Sequence, residues 1–189
     1  MLNNDLKLMK LIDAVKNRNL TKYLALGFFL LVMVLILQKF FLLALLIGIS
    51  LAISYLIGTF QMSKSIGIEL VTFTSVLAGF AFGPTTGAII GFILIVTHLI
   101  VGHFAAGIYV LWTIPFYVIA GILGSTITGI DFATLGIYIT IGINAVSIIL
   151  TAITFPQNLG NYIPFSVTNI IFNLIIFTQF GPPIYSLVK

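Results

Sequence analysis

The sequence predicts an all-α integral membrane protein, a polytopic bundle of six to seven transmembrane helices. Of its 189 residues, 60% are hydrophobic and only 6% are charged, whereas a soluble domain has roughly 25% charged residues. The mean hydropathy is +1.25. Apolar stretches such as residues 87–99 and 134–153 lack the alternation of apolar and polar residues that marks a transmembrane β-strand, so the spans are predicted to be helices.

The N-terminal region carries most of the positive charge. Such a cluster before the first apolar run predicts a cytoplasmic N-terminus, and this topogenic role makes a nucleic-acid partner unnecessary. Apolar residues recur on one helical face of the same region, which predicts an amphipathic segment on the cytoplasmic interface over residues 1–21. Residues 22–189 are then expected to form a single transmembrane domain, multi-pass in the plasma membrane. The basic residues are Lys7, Lys10, Lys16, Arg18 and Lys22.

Seven apolar segments follow this region. The first two are divided at Gln38-Lys39 because residues 22–60, as one helix, would extend about 58 Å, nearly twice the hydrocarbon thickness. The later divisions coincide with clusters of Gly, Pro, Asn and Ser, which end helices. No loop exceeds about ten residues, so any ligand site must be built from the helices and their short connections. The segments are 22–38, 41–60, 66–82, 87–102, 106–125, 134–154 and 164–187.

Small residues recur at a spacing that predicts close helix packing. Glycines occupy every fourth position from 79 to 91, and Gly121 and Gly124 repeat the pattern in a later segment. Without a side chain, a glycine lets two helix backbones approach within a membrane. The pattern predicts close approach of helix backbones around the Pro84 turn, and the same one helix pair later at Gly121, Gly124 and Ser125.

Polar side chains are unevenly divided between the two ends of the predicted bundle. Because successive helices alternate in direction, the loops near residues 61–66, 102–106 and 155–163 lie at the same end. That end collects histidines, amides and aromatic residues, and polar groups in a membrane protein are the first candidates for function. The residues predicted to bind a solute there are Glu69, His98, His103, Tyr109, Trp112, Asn158, Asn161, Asn169 and Asn173.

Several of these residues have a structural interpretation beside the functional one. Glu69 follows Lys64 near a helix start, so it is either an interfacial acid favoured by the helix dipole or a contact for a ligand or cation. Asn169 and Asn173 are one turn apart and either bond across helices or face a solute. Asn144 is expected to join helices.

The aromatic and imidazole side chains leave similar alternatives. Tyr109 and Trp112 either belong to the aromatic belt of the membrane interface or stack on a planar ligand. His98 and His103 are five residues apart, which does not place two imidazoles on one helical face for zinc. With no cysteine in the chain, we expect no metal site and no bound cofactor, and the histidines are interpreted as interfacial or as hydrogen-bonding partners of a polar solute.

Catalysis is not predicted. The sequence has only four acidic residues and contains no nucleophile motif, no zinc-protease motif and no phosphate-binding glycine loop with a lysine. The chain is therefore expected not to be an enzyme. It also lacks the nucleotide-binding residues that would let it power transport alone.

Residues 66–125 resemble the substrate-binding membrane subunits, or S components, of energy-coupling-factor vitamin transporters. The similar residues are a helix that ends Leu77-Ala78-Gly79 and, after three residues, Gly83-Pro84, followed by a helix that opens Gly87-Ala88 and then Gly91. Four apolar segments follow the Gly-Pro turn, as in the six-helix plan of that family. The family has one helix before the Leu-Ala-Gly helix, whereas the segments counted above give two.

The resemblance implies high-affinity capture of a vitamin-sized solute at the extracytoplasmic end of the bundle. It also implies energy from partners, namely a coupling membrane subunit and ATPases. The end where that family builds its pocket corresponds to the polar-rich end of this chain. The alternative function is a non-catalytic membrane scaffold that resembles rod-shape-determining membrane subunits, in which the polar end would have no ligand.

Overall fold

The computed structural model describes residues 18–60, 65–103 and 107–188, and within these ranges the chain is helical with no strand. The helices are α1 (Arg18–Thr59), α2 (Val71–Phe82), α3 (Pro84–Val101), α4 (Val110–Thr126) and α5 (Phe132–Thr154), then α6 (Leu159–Ile175) and α7 (Gly181–Val188). A short 3₁₀ helix, Pro156–Asn158, precedes α6, and a π-helical turn, Ile176–Phe180, joins α6 to α7. The all-α prediction is confirmed. Most of the predicted amphipathic segment lies outside the described residues.

Four helical stretches are long and apolar enough to cross a bilayer: Leu37–Thr59, Pro84–Val101, Phe132–Thr154 and Pro156–Val188. Shorter apolar helices cover Leu20–Met33, Val71–Phe82 and Val110–Thr126. Their side chains are mostly apolar and widely exposed, which suits contact with lipid rather than water. These features are those of a membrane-embedded protein.

The predicted division at Gln38-Lys39 is wrong, because α1 runs through it as one helix of 42 residues. The junction has no Gly or Pro, and both of its residues are good helix formers, so nothing local ends the helix. The thickness of the bilayer limits how much of a helix lies in hydrocarbon, but it does not force the chain to turn. A boundary between two compact units, Met1–Gln38 and Lys39–Lys189, falls at the same point.

The divisions predicted between residues 82 and 87 and between residues 125 and 134 are confirmed, and the structure gives their physical cause. Those predicted near residues 61–65 and 102–106 fall partly outside the described residues. Gly83 turns the chain between α2 and α3 with φ of +92°, a conformation that glycine adopts without strain, and Pro84 then begins α3. Before α5, Gly129 has φ of +86° and Asp131 accepts a hydrogen bond from the Thr134 N–H at 2.9 Å. Asp131 is therefore the N-cap of α5.

Helix α2 lies at the centre of the second unit, with residues 71–79 all buried. Phe73 packs in a cluster of aromatic rings within the second unit. Its ring centroid lies 5.0 Å from that of Phe177 and 5.8 Å from that of Phe132. Phe177 packs against Gly136, where a methyl group would overlap the ring. A second apolar cluster joins α2 to α3 and α4 through Val71, Leu94, Ile95, Leu99 and Tyr117.

Glycines bring α2, α3 and α4 into backbone contact. The close approach around Pro84 was predicted from the glycine spacing, whereas the contact of both helices with Gly121 of α4 was not. A methyl group on Gly79 or Gly87 would overlap the carbonyl oxygen of Gly121, and one on Gly91 would overlap that of Tyr117. Gly83 is the exception in the series, since open space surrounds it and its role is the turn. This contact fixes α3 and α4 side by side, and their ends border the candidate site.

Candidate functional site

A cavity of about 510 Å³ lies where α3 and α5 end and where α4 and α6 begin. Helices that alternate in direction bring these four ends together, which is the arrangement predicted for the polar-rich end. Apolar side chains close parts of the wall, including Ile95, Leu99 and Ile143. The polar and aromatic lining is His98, His103, Tyr109, Trp112, Thr113, Tyr117, Asn144, Ser147, Thr151, Phe155, Asn158, Asn161, Tyr162 and Phe165.

Six of the nine residues predicted to bind a solute line this cavity. They come from the end of α3, the start of α4 and the start of α6, and they are His98, His103, Tyr109, Trp112, Asn158 and Asn161. The structure therefore places these side chains around one volume, in a size range typical of small-molecule pockets. Direct binding of a solute by them stays a prediction.

The remaining three predicted residues are deeply buried and do not line the cavity. Glu69 is 2% exposed, and Asn169 and Asn173 are at most 1% exposed. The two asparagines donate to Glu69 Oε1 from their Nδ2 atoms, at 3.1 Å and 3.2 Å. For Asn169 and Asn173 the structure thus shows the interhelical bonding that was one of the two interpretations.

Glu69 also organises the start of α2. Its Oε2 accepts from the Thr72 N–H at 2.9 Å, and its Oε1 accepts from the Thr72 hydroxyl at 2.6 Å. These bonds satisfy a backbone donor that no helical carbonyl reaches in the first turn. Glu69 lies at the start of a helix, as one of its two interpretations stated. However, its carboxylate is enclosed by protein and is not exposed at the membrane interface. Lys64 lies outside the described residues.

Asn144 connects this buried group to the cavity. It is 3% exposed and lines the cavity, and its Nδ2 donates to Asn169 Oδ1 at 2.8 Å and to the Thr140 carbonyl oxygen at 2.9 Å. The predicted helix-joining role of Asn144 is confirmed. Its place in the cavity wall was not predicted.

Helix α5 has a row of buried polar residues that was not predicted from the sequence. Thr140, Asn144, Ser147 and Thr151 are all buried, and the last three line the cavity. Their spacing of four, three and four residues puts them on one helical face. That periodicity within an otherwise apolar segment was the signal that could have identified them.

The histidines occupy different environments. His98 is 6% exposed, and its Nδ1 lies 2.8 Å from the Ser54 hydroxyl of α1, whereas His103 is exposed and adopts a positive φ of 58° just after α3. No group of three or more His, Cys, Asp or Glu side chains suited to a metal occurs within the described ranges. His98 is a hydrogen-bonded wall residue, and His103 stands at the rim.

Aromatic rings and two unpaired polar atoms complete the wall. Tyr162 stacks on Phe165 with ring centroids 5.7 Å apart. The indole N–H of Trp112 and the hydroxyl of Thr151 are buried and have no hydrogen-bond partner among the described residues. Burial raises the pKa of Tyr109, with a smaller contribution from Tyr162, so the Tyr109 hydroxyl stays a donor at neutral pH. The wall therefore offers both flat surfaces and hydrogen-bonding groups.

No protein-family model, curated protein or solved structure matches the chain.

Proposed function

We propose that this protein is the membrane-embedded binding subunit for a small, vitamin-like organic solute and that partner subunits energise its transport. The observation that carries the proposal is the cavity of about 510 Å³ at the polar end of the bundle. A wall that mixes apolar and aromatic side chains with a few convergent polar groups is typical of a small-molecule site. Two buried polar atoms, on Trp112 and Thr151, have no partner among the residues that the structure describes, and this supports a ligand that supplies the missing bonds.

The continuity of α1 supports the resemblance to S components. With one helix before α2 instead of two, the helical order agrees with the six-helix plan implied by the Gly83-Pro84 turn. We propose six crossings, the last of which runs through α6, the π turn and α7. An N-terminus held in the cytoplasm by its basic residues would then put the cavity at the extracytoplasmic face of the plasma membrane.

Partners follow from what the sequence lacks. Since the chain has no phosphate-binding loop, an ATPase and a coupling membrane subunit would supply the energy. The scaffold alternative leaves the cavity without a role, and the structure offers no feature that favours it over solute binding.

Recovery of a bound solute tests the proposal directly. The full chain would be purified in mild detergent, and small molecules released by denaturation would be identified by mass spectrometry. We expect one species to be enriched over a preparation of the variant Ser147→Phe, whose added ring would occupy part of the cavity volume. A melting curve of the variant would check its folding.

The opposite outcome is equally clear. If well-folded wild-type protein yields no enriched solute, and no vitamin of a broad panel raises its melting temperature, solute binding is wrong. A stable protein complex recovered without any small molecule would instead support the scaffold function.

A further inference from the structure

The buried carboxylate behind the cavity accepts every hydrogen bond that reaches it. Glu69 receives bonds from the Thr72 N–H, the Thr72 hydroxyl, Asn169 Nδ2 and Asn173 Nδ2. Both neighbouring amides turn their nitrogen toward the carboxyl oxygens, since Asn169 and Asn173 donate to Oε1 from Nδ2. Glu69 therefore sets the direction of the hydrogen bonds around it.

Asn169 transmits this direction to α5. Its Nδ2 donates one hydrogen to Glu69 Oε1 and the other to the Gly67 carbonyl oxygen at 2.9 Å. In the flipped orientation the oxygen of Asn169 would face two acceptors, which is unfavourable for a buried group. Asn169 Oδ1 consequently points to Asn144 and accepts from it.

The orientation of Asn169 in turn fixes the orientation of the Asn144 amide in the cavity wall. Both hydrogens of its Nδ2 are used within the protein, by Asn169 Oδ1 and by the Thr140 carbonyl oxygen. The atom that Asn144 can offer to a ligand is therefore Oδ1, which only accepts. A ligand next to Asn144 must present a donor.

The rest of the described lining limits the charge of the ligand. It contains no Lys, Arg, Asp or Glu. A phosphate or carboxylate buried without a cationic partner is strongly disfavoured. The rings of Tyr109, Trp112 and Tyr162 instead suit a flat ring system, which can stack or meet them edge to face.

We propose that the cavity selects uncharged, planar heteroaromatic compounds that present an N–H to Asn144, and that Glu69 acts through Asn169 as the positioning residue for this selection. The inference rests on the proposed solute-binding function and specifies the ligand class. Glu69 thus contributes to specificity without touching the ligand.

Matched pairs of compounds test this inference on the full-length protein in nanodiscs. The probes are lumazine, lumichrome and hypoxanthine, each compared with its singly N-methylated derivatives, and inosine monophosphate as the phosphorylated member. Titration calorimetry would give the ratio of dissociation constants within each pair. For at least one ring system we expect one N-methylation to weaken binding about tenfold or more, the effect of leaving one buried acceptor unpaired. Inosine monophosphate is expected to bind at least about a hundredfold more weakly than hypoxanthine.

Three variants separate specificity from general damage. In Asn144→Ala the acceptor is gone, so the ratio should fall to about one. In Glu69→Gln the carboxamide can turn its nitrogen toward Asn169, and only the Gly67 carbonyl oxygen still orients Asn169, so the ratio should fall toward one without reaching it. The control Asn161→Ala removes a lining amide that is outside the Glu69 chain. It should weaken both members of a pair alike and leave the ratio unchanged. If Glu69→Gln does not fold, Asn169→Ala takes its place, because it also breaks the connection between Glu69 and Asn144, and the same fall in the ratio is expected.

The outcomes distinguish this inference from the proposed function. Equal binding of N–H and N-methyl members by the wild type, tight binding of inosine monophosphate, or an unchanged ratio in Asn144→Ala or in folded Glu69→Gln would overturn the inference. So would the absence of any binding in this panel if a bound solute of another class is recovered from the purified protein. Absence of both panel binding and recovered solute would overturn the proposed function itself.

Discussion

At the scale of single residues, the unusual feature is a carboxylate enclosed in an apolar bundle and satisfied by neutral donors. A charge within a membrane protein is costly unless it is paired or hydrogen-bonded. Glu69 meets this requirement with one backbone N–H, one hydroxyl and two amides from α2 and α6. Removing one donor therefore affects several buried groups together.

The first prediction concerns Asn169. In Asn169→Ala, the Gly67 carbonyl oxygen and Asn144 Nδ2 each lose a partner, and Glu69 loses one donor. Each buried group left unpaired costs about 1–3 kcal/mol, so we expect a destabilisation of at least about 2 kcal/mol. Thermal unfolding in detergent would measure it. Asn158→Ala, an exposed lining position, should change stability by less than about 0.5 kcal/mol. Similar melting temperatures for the two variants would contradict the assigned role.

The second prediction concerns the pH dependence of the α5 cap. Hydrogen bonds from the Thr134 side chain and N–H lower the pKa of Asp131 below that of an ordinary aspartate. A lowered pKa in the folded state means that the stabilisation is present above the unfolded pKa and is lost as the pH falls through the folded pKa. Asp131→Asn keeps a capping side chain that does not titrate. Between about pH 5 and pH 2, the wild type should lose stability relative to Asp131→Asn, as measured by melting temperature. A difference independent of pH would contradict the cap.

The sequence predicted which end of the bundle is polar better than it predicted which residues face the cavity. His98, Tyr109 and Asn161 could be assigned to the polar end from helix direction alone. Each is close to a loop in the sequence, and the alternation of helix direction shows at which end of the bundle that loop lies. Whether a residue such as Asn169 points into a cavity or toward a neighbouring helix depends on helix rotation and on its partner. That partner, Glu69, is 100 residues away in the sequence, so local patterns did not reveal it.

At the scale of elements, backbone contact among α2, α3 and α4 depends on glycine. The positions at which a Cβ would overlap a facing carbonyl oxygen include Gly79, Gly87 and Gly91. Packing of this kind replaces the hydrophobic driving force that is absent between helices in lipid. The end of α3 and the start of α4 line the cavity. The glycine contact that holds these two helices together lies in the other half of each helix.

A pair of glycine variants tests this dependence. Gly121→Ala places a methyl group against the Gly87 backbone, and such overpacking typically costs about 1–3 kcal/mol. Gly142→Ala is the matched control, because open space surrounds that helical glycine and alanine favours a helix by up to about 1 kcal/mol. We expect the melting temperature to fall for Gly121→Ala and to stay level or rise for Gly142→Ala. Equal effects would show that the glycine contact is not what holds the helices.

Helix boundaries marked by Gly, Pro or a capping residue were predictable, and others were not. The turn at Gly83-Pro84 and the helix cap at Asp131 are caused by residue types that can be recognised in the local sequence. Helix α2 begins only at Val71, although the apolar segment starts at residue 66, because residues 67 and 69 bond to α6 instead. Tertiary bonds of this kind decide a boundary that composition leaves open.

At the scale of the whole molecule, the absence of native cysteine permits a clean accessibility map. Single cysteines at His103 and Gln157 report on the polar end, and those at Thr85 and Thr128 report on the other. All four positions are exposed. With the proposed orientation, a membrane-impermeant maleimide applied to intact cells should label the first pair and leave the second unlabelled until the membrane is permeabilised.

Two other labelling patterns would be informative. Labelling of the second pair alone would put the cavity at the cytoplasmic face and contradict uptake from outside. Labelling within both pairs would contradict the shared end on which the cavity depends.

The short central helix has a consequence for biogenesis. Helix α2 has 12 residues, about 18 Å of length, so its crossing of a hydrocarbon layer of about 30 Å is completed by the non-helical residues 66–70 that precede it. It also begins beside an acidic side chain and is separated from α3 by Gly83 alone. During synthesis it therefore cannot leave the translocon as an independent span, and we expect it to partition into lipid as a hairpin together with α3.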